Sequence, residues 1–144
     1  NRAASEIALQ SDVTAMTDVT GFGLLGHAYE MAAAGGVRLR IEAGTLPALP
    51  GALRYIGMGL TPGGLERNRK YLVGSSDGRA RAVWPASVPA DRLALALDPQ
   101  TSGGLLMAIP ETRLAELVAH GAQHDQHLWI VGEVVEGHGV EVVA

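Results

Sequence analysis

Residues 17–36 read TDVTGFGLLGHAYEMAAAGG. The spacing Gly21-x-Gly23-x-x-Gly26 is the dinucleotide-binding pattern, and an acid, Glu42, stands about twenty residues beyond the first glycine. That pattern has physical requirements. The glycines must follow a buried parallel strand and open a helix, so that a pyrophosphate rests on the helix N-terminus. The helix requirement is met: Leu24, Leu25, Ala28, Met31 and Ala32 recur at helical spacing. Gly35-Gly36 then supplies a residue tolerant of the left-handed conformation that ends helices. The strand requirement is not met. The preceding SDVTAMTDVT is polar and carries two aspartates, whereas a strand covered on both faces is a near-continuous Val/Ile/Leu run. A glycine-rich turn ahead of an amphipathic helix explains the stretch better than a nicotinamide-dinucleotide site does.

The pattern extends outward on both sides. Residues 3–10 read as a short helix, and AMTDVTGFG as a short strand or extended turn. VRLRIE, residues 37–42, alternates strictly, with Val37, Leu39 and Ile41 on one face and Arg38, Arg40 and Glu42 on the other. That is a half-buried strand. LPALPGALRYIGMG predicts a proline-bounded short helix. Residues 60–92 are rich in Gly, Pro, Ser and Arg and read as a long irregular connection with one short strand near RARAVW. Connections of that length are usually functional or mobile. LLMAI, residues 105–109, predicts a strand. PETRLAELVAHG predicts a helix with Pro110 near its start, Leu114, Leu117 and Val118 on one face, and Gly121 as its stop. LWIVGEVV and VEVVA read as two strands of a hairpin turning at EGHG. Strands mixed with helices, and a closing hairpin, give an α/β (α+β-like) sandwich with a mixed β-sheet and packed helices.

Composition sets outer bounds. The chain has 144 residues, 47% hydrophobic and 18% charged, enough for one domain with its own core. With Trp 2, Tyr 3 and Phe 1, that core must be aliphatic. A net charge of −4 offers no general attraction to nucleic acid. No apolar run approaches the roughly 20 residues that cross a bilayer, and no signal peptide is recognisable. The chain has no cysteine, which fits a reducing compartment; a cytoplasmic location is expected. The opening NRAASEIALQSD already reads as the interior of a longer protein, so the expectation is one domain of a larger chain.

Two short motifs carry chemistry. Asp18, flanked by Thr17 and Thr20 and followed by Gly21, is a carboxylate at the edge of a glycine-rich loop. Such a loop can hold Mg²⁺ while backbone N–H groups face phosphate oxygens. One aspartate is an incomplete metal site, and capping of its own turn is the plainer use of it. The second motif is DPQTSGGLL, residues 98–106. Asp98-Pro99 favours a turn, Gln100, Thr101 and Ser102 offer hydrogen bonds, and Gly103-Gly104 admits a close neighbour.

Taken together, and with TPGGLERNRKY between them, TDVTGFGLLGH and DPQTSGGLL resemble the C-terminal domain of selenophosphate synthetase (selenide, water dikinase). The resemblance covers essentially all 144 residues. That domain type is shared across the aminoimidazole ribonucleotide synthetase superfamily, whose other members carry a TD-x-T-G-x-G variant. The resemblance implies an α/β sandwich and an enzyme that converts ATP, selenide and water to selenophosphate, AMP and orthophosphate. It implies a two-domain chain in which residues 1–144 are the C-terminal domain. An N-terminal domain, absent here, would dimerise and carry most of the ATP site. The family's reactive Cys or selenocysteine and its nearby Lys precede that domain. This chain has no Cys, and its only Lys, Lys70, lies in the middle region, so no catalytic residue is assigned here. The family holds Mg²⁺ with several aspartates, and one of those roles carries over to Asp18. Thr17, Thr20 and Gly21 are expected to shape the loop near the phosphates, and QTSGG to line the cleft. A sister enzyme acting on a purine or thiamin precursor, or a nucleotide-binding module without catalysis, is the alternative. No nucleic-acid or membrane partner is expected.

Three other signals read as structural. His120, His124 and His127 share a helical face only if the helix passes Gly121, so a solvated turn is expected rather than a zinc site. His27 is expected to make a structural hydrogen bond. Arg54, Arg67, Arg69, Lys70, Arg79 and Arg81 read as exposed charge, with an anion-steering rim as the rival.

Overall fold

The computed structural model describes residues 1–74 and 78–144. Its elements are α1 (Arg2–Leu9), β1 (Ala15–Asp18), α2 (Gly23–Gly35), β2 (Arg38–Glu42), a 3-10 turn (Ala43–Thr45), α3 (Ala52–Gly57), α4 (Gly63–Val73), β3 (Ala82–Val83), α5 (Ala90–Leu97), β4 (Leu105–Ala108), α6 (Glu111–Gln123), β5 (Gly132–Val135) and β6 (Gly139–Val143). The strands form two sheets. β1 and β4 make an antiparallel ribbon, and the larger sheet runs β3-β6-β2-β5. In it β6 is parallel to β2 and to β3, while β5 is antiparallel to β2. The mixed α/β architecture expected from the sequence is therefore the one found.

Alternation along β2 decides how the larger sheet packs. Leu39 and Ile41 face inward opposite Val140 and Val142 of β6, and all four are buried. α2 closes that face with Leu25, Ala28 and Ala32, and α4 and α5 add Leu65, Leu72, Leu93 and Leu97 behind it. The core is aliphatic; Tyr29 and Trp84 touch it only from its margin. Gly36, with φ 64°, caps α2 in the left-handed conformation. The outward face of the sheet carries a row of charge, Glu141, Arg40 and Glu133, across β6, β2 and β5. α1 and α6 pack together beside β4.

Four details correct the sequence reading. First, the connection at 60–92 is not irregular throughout: α4 lies within it and α5 begins in it, while residues 75–77 lie outside the described residues. Gly63-Gly64 and a dense run of charge mask α4, yet Leu65, Asn68 and Leu72 fall on its buried face at i, i+3 and i+7. The short strand expected there exists as β3.

Second, β5 and β6 are not a hairpin, because β2 lies between them. Arg38 at the start of β2 is opposite both Val135 and Gly139. Residues 136–138 step across the end of β2. Two strand spacings are about 10 Å, within reach of that short link. Gly137 and Gly139 at φ 130° and 76° make the step.

Third, Gly121 does not stop α6, which continues to Gln123. The chain folds back so closely that a Cβ at 121 would lie 2.9 Å from the Gln126 carbonyl oxygen. Glycine is needed there for approach rather than for a cap. Fourth, the ribbon β1–β4 is separate from the larger sheet.

Candidate functional site

The two glycine-rich motifs meet. β1 pairs with β4 so that Asp18 stands opposite Leu105. Beyond the ribbon, the Val19 N–H donates to the Gly104 carbonyl at 2.9 Å and the Gln100 N–H donates to the Thr20 carbonyl at 3.0 Å. The approach leaves no room for a side chain at 103, where a Cβ would stand 2.2 Å from the Val19 carbonyl oxygen. Gly23, at φ 68°, turns the chain into α2 and packs 2.9 Å from the Leu97 carbonyl by the same measure. Gly21 differs: among the described residues, its chain neighbours aside, nothing lies within 4 Å of its Cβ position. The backbone is open there.

The middle segment, TPGGLERNRKY, joins the same place. Asn68 of α4 is buried, 6% exposed. Its side-chain amide donates to the Gly21 carbonyl at 3.0 Å and to the Leu97 carbonyl at 2.9 Å. One amide thereby satisfies two carbonyls, one in the first motif and one at the end of α5, just ahead of the second. Gly64 in the preceding turn packs against Pro99. Sequence reasoning missed Asn68, although its place between Leu65 and Leu72 on the buried helical face was a readable signal. A polar residue at a core position usually has a partner to satisfy.

Burial alternates along residues 18–20. Asp18 and Thr20 are exposed and Val19 between them is buried, so Asp18 and Thr20 share the outward face. The Asn1 side-chain amide donates to Asp18 Oδ1 and, at 3.4 Å, to the Gly104 carbonyl. Thr17 is half-buried. Thr20 Oγ1 lies 2.9 Å from His27 Nε2, and His27 Nδ1 lies 2.9 Å from Glu30 Oε2. His27 is buried and bonded on both ring nitrogens, in keeping with the structural hydrogen bond expected of it. Within DPQTSGG, Gln100 Nε2 donates to Asp98 Oδ2 at 2.8 Å. Partial burial raises the Asp98 carboxyl above its ordinary value, and the Gln100 bond opposes that rise. Thr101 and Ser102 are exposed.

This geometry replaces the dinucleotide reading. β1 is a mostly exposed strand of an antiparallel ribbon, and Glu42 ends β2 in the other sheet. The parallel strand that a pyrophosphate fingerprint needs is not the one preceding Gly21. Among the described residues, no three of His, Cys, Asp and Glu come together as a metal site. Asp18 still suits Mg²⁺ as one ligand. It is an exposed carboxylate beside an open backbone, and Mg²⁺ commonly takes one or two carboxylates, completing its shell with water and substrate phosphate.

The remaining signals resolve separately. His120 and His124 stack edge to face with ring centres 4.9 Å apart, while His127 packs on Trp129 at 4.4 Å. Arg81 is committed to the molecule itself: it donates to the carbonyls of Tyr71 and Gly74, and its guanidinium lies 4.5 Å from the Tyr71 ring centre. Arg69 sits 3.8 Å from Glu66 and over Trp84. A groove of ≈530 Å³ opens between α3, α4 and α5, lined by Ile56, Thr61, Leu65 and Ala94 among others, and holds no residue of TDVTGFGLLGH or DPQTSGGLL. No described helix is long and apolar enough to cross a membrane.

The fold and the junction define a class. Residues 1–144 match the family described as AIR synthase related protein, C-terminal domain, and the chain belongs to that family. Within it, the expected likeness to selenophosphate synthetases holds. The chain is 42% identical over 145 residues to the selenide, water dikinase of Bordetella bronchiseptica, covering 99% of this chain and 40% of that protein. It is 45% identical over 117 residues to the selenide, water dikinase of Caldanaerobacter subterraneus, covering 81% of this chain and 32% of the relative. The Escherichia coli K12 selenide, water dikinase is 42% identical over 139 residues, 96% of this chain and 38% of its own length. The chain thus spans about two fifths or less of these relatives. In fold it is similar to thiamine-monophosphate kinase from Stenotrophomonas maltophilia, with a TM-score of 0.59 at 20% identity over 93% of this chain and 32% of that one.

Proposed function

We propose that this chain is the C-terminal domain of a selenophosphate synthetase, which makes selenophosphate, AMP and orthophosphate from ATP, selenide and water. Its task is to complete an Mg–ATP site whose larger part lies on an N-terminal domain of the same protein. The observation that carries this reading is the convergence of all three motif segments on one open loop, with Asp18 exposed beside it. Relatives at 42–45% identity that are named selenide, water dikinase support the substrate assignment.

Each residue has a physical part in this reading. Asp18 would hold Mg²⁺ as one of several carboxylates. The ion, when bound, supplies charge that offsets repulsion between nucleotide phosphates and an anionic nucleophile. The open backbone at Gly21 lets phosphate oxygens approach, with Thr17 and Thr20 shaping the loop on either side of Asp18. Asn68, Gly23 and Gly103 hold that loop against the DPQTSGG segment, so the carboxylate is presented from a fixed frame. The nucleophile lies outside residues 1–144. The isolated domain should therefore fold without catalysing, and the full protein should act as a cytoplasmic homodimer.

The test uses the full-length protein, Mg-ATP and selenide under anaerobic conditions, with products followed by phosphorus NMR. Selenide-dependent selenophosphate with AMP and orthophosphate is expected. ATP left intact by a folded, nucleotide-binding protein would overturn the reading and direct the search to purine or thiamin precursors. Asp18→Asn should abolish turnover with the fold unchanged, because a neutral amide is a poorer Mg²⁺ ligand. Wild-type turnover in that variant would remove Asp18 from the metal site.

A further inference from the structure

Thr20, His27 and Glu30 form a hydroxyl–imidazole–carboxylate chain beside Asp18. Both links are 2.9 Å. His27 is 8% exposed and lies against the edge of Phe22, with ring centres 5.7 Å apart. The Glu30 side chain is half-exposed at 49%. The spacing i, i+3 on α2 sets the imidazole–carboxylate link. The turn at Gly23, whose N–H donates to the Thr20 carbonyl, brings the hydroxyl back over the helix.

The donor and acceptor inventory of this chain has one self-consistent solution with the ring neutral. An ionised carboxylate only accepts, so the ring proton sits on Nδ1, facing Glu30. Nε2 then carries a lone pair and accepts the Thr20 hydroxyl proton. The outward side of Thr20 Oγ1 is left with acceptor lone pairs only. A phosphate oxygen, itself an acceptor, finds no donor there. A water molecule does find a partner.

The neighbouring geometry says which water. Asp18 and Thr20 occupy successive positions on one face of extended chain, about 7 Å apart along it. A water on a cation held by Asp18 would lie on the same face as Thr20 Oγ1. We propose that Glu30 and His27 are positioning residues that fix Thr20 Oγ1 as the acceptor for a water on the cation held by Asp18. This rests on the metal reading of Asp18 given above. It also changes the part of Thr20, from a residue that shapes a phosphate loop to one that orients the hydration shell of the metal.

The first experiment needs no metal or substrate. In the full-length chain labelled with ¹⁵N-histidine, the resonances lost in His27→Gln are assigned to His27. In the neutral ring the proton is expected on Nδ1, with Nε2 bare. A neutral ring that carries its proton on Nε2 overturns the proposal.

The second experiment measures Mg²⁺ affinity by calorimetry on the nucleotide-bound full-length protein. Thr20→Val should weaken it about 10- to 100-fold, and Thr20→Ser should restore it. His27→Gln should weaken it in the native background and add nothing in the Thr20→Val background, because it acts only through that hydroxyl. Additive losses overturn the proposal. Glu30→Ala covers the case in which His27→Gln does not fold. It removes the acceptor that holds the ring proton on Nδ1, and half-exposed Glu30 contributes little to packing. The same loss of affinity is expected, and unchanged affinity overturns the proposal. If Asp18→Asn leaves Mg²⁺ affinity unchanged, the metal reading fails and this proposal falls with it. If Asp18→Asn weakens binding and Thr20→Val does not, the proposal fails alone.

Discussion

The motif junction and the charged face of the larger sheet hold together in opposite ways. At the junction the contacts are backbone to backbone, or a buried amide on two carbonyls, and several leave no free volume. On the sheet face, Arg40 bridges Glu133 at 2.9 Å and Glu141 at 3.1 Å across three strands, at a partly exposed surface. Bonds to Glu141 first, and to Glu133 second, raise the Arg40 guanidinium above its ordinary value. Water can replace much of what those ion pairs supply. Nothing can replace a missing donor or admit an extra carbon at the junction. Close contact is therefore concentrated where the glycine-rich segments meet, and adjustable contact where a sheet only has to stay paired.

Substitutions can break that contrast, and the largest effect is expected at Gly103. Gly103→Ala forces a methyl group into the Val19 carbonyl, so the ribbon must open or the loop must move. A loss of more than about 3 kcal/mol in chemical denaturation is expected. A loss below about 1 kcal/mol would mean the junction is as adaptable as the sheet face. Asn68→Ala comes next. It strands two carbonyls and leaves a small void, for about 2 kcal/mol, measurable as a shift in denaturation midpoint at unchanged slope.

A smaller effect sharpens the contrast through pH. The Asp98 carboxyl is raised in the folded state, so between its ordinary value of 3.8 and that raised value the folded protein binds more protons than the unfolded one. Its contribution to stability therefore falls as pH rises through that window. Asp98→Asn should remove this component of the slope, as read from denaturation midpoints across the acidic range. The smallest effect belongs to the sheet face. Arg40→Gln should move the midpoint slightly at low ionic strength and not measurably at about 1 M salt, where exposed pairs are screened. A large, salt-independent loss would place Arg40 with the junction instead.

Much of this was legible in the chain. Strict alternation over VRLRIE located β2 and its buried face, because period two puts Leu39 and Ile41 on the same side. Scarce aromatics required an aliphatic core, and the core is aliphatic. The two motifs identified the family because their residues are particular. Other features were less visible. α4 was hidden by two glycines and a run of charge, although its apolar positions kept helical spacing. The closing strands read as a hairpin because a short glycine-bearing link is what a hairpin needs, and sequence spacing does not show that a third strand has entered between them. Gly121 read as a stop because local pattern cannot distinguish a cap from a point of close approach.

The sequence by itself determined the strand and helix periods, the composition of the core and the two motifs that mark the family. These are local properties, set by spacing and residue type. Tertiary structure alone decided that the motifs meet, that Asn68 ties the first of them to the end of α5, and that β2 separates β5 from β6. Each depends on contacts between segments distant along the chain, whose partners are chosen by packing and hydrogen-bond satisfaction over the whole fold rather than by any local pattern.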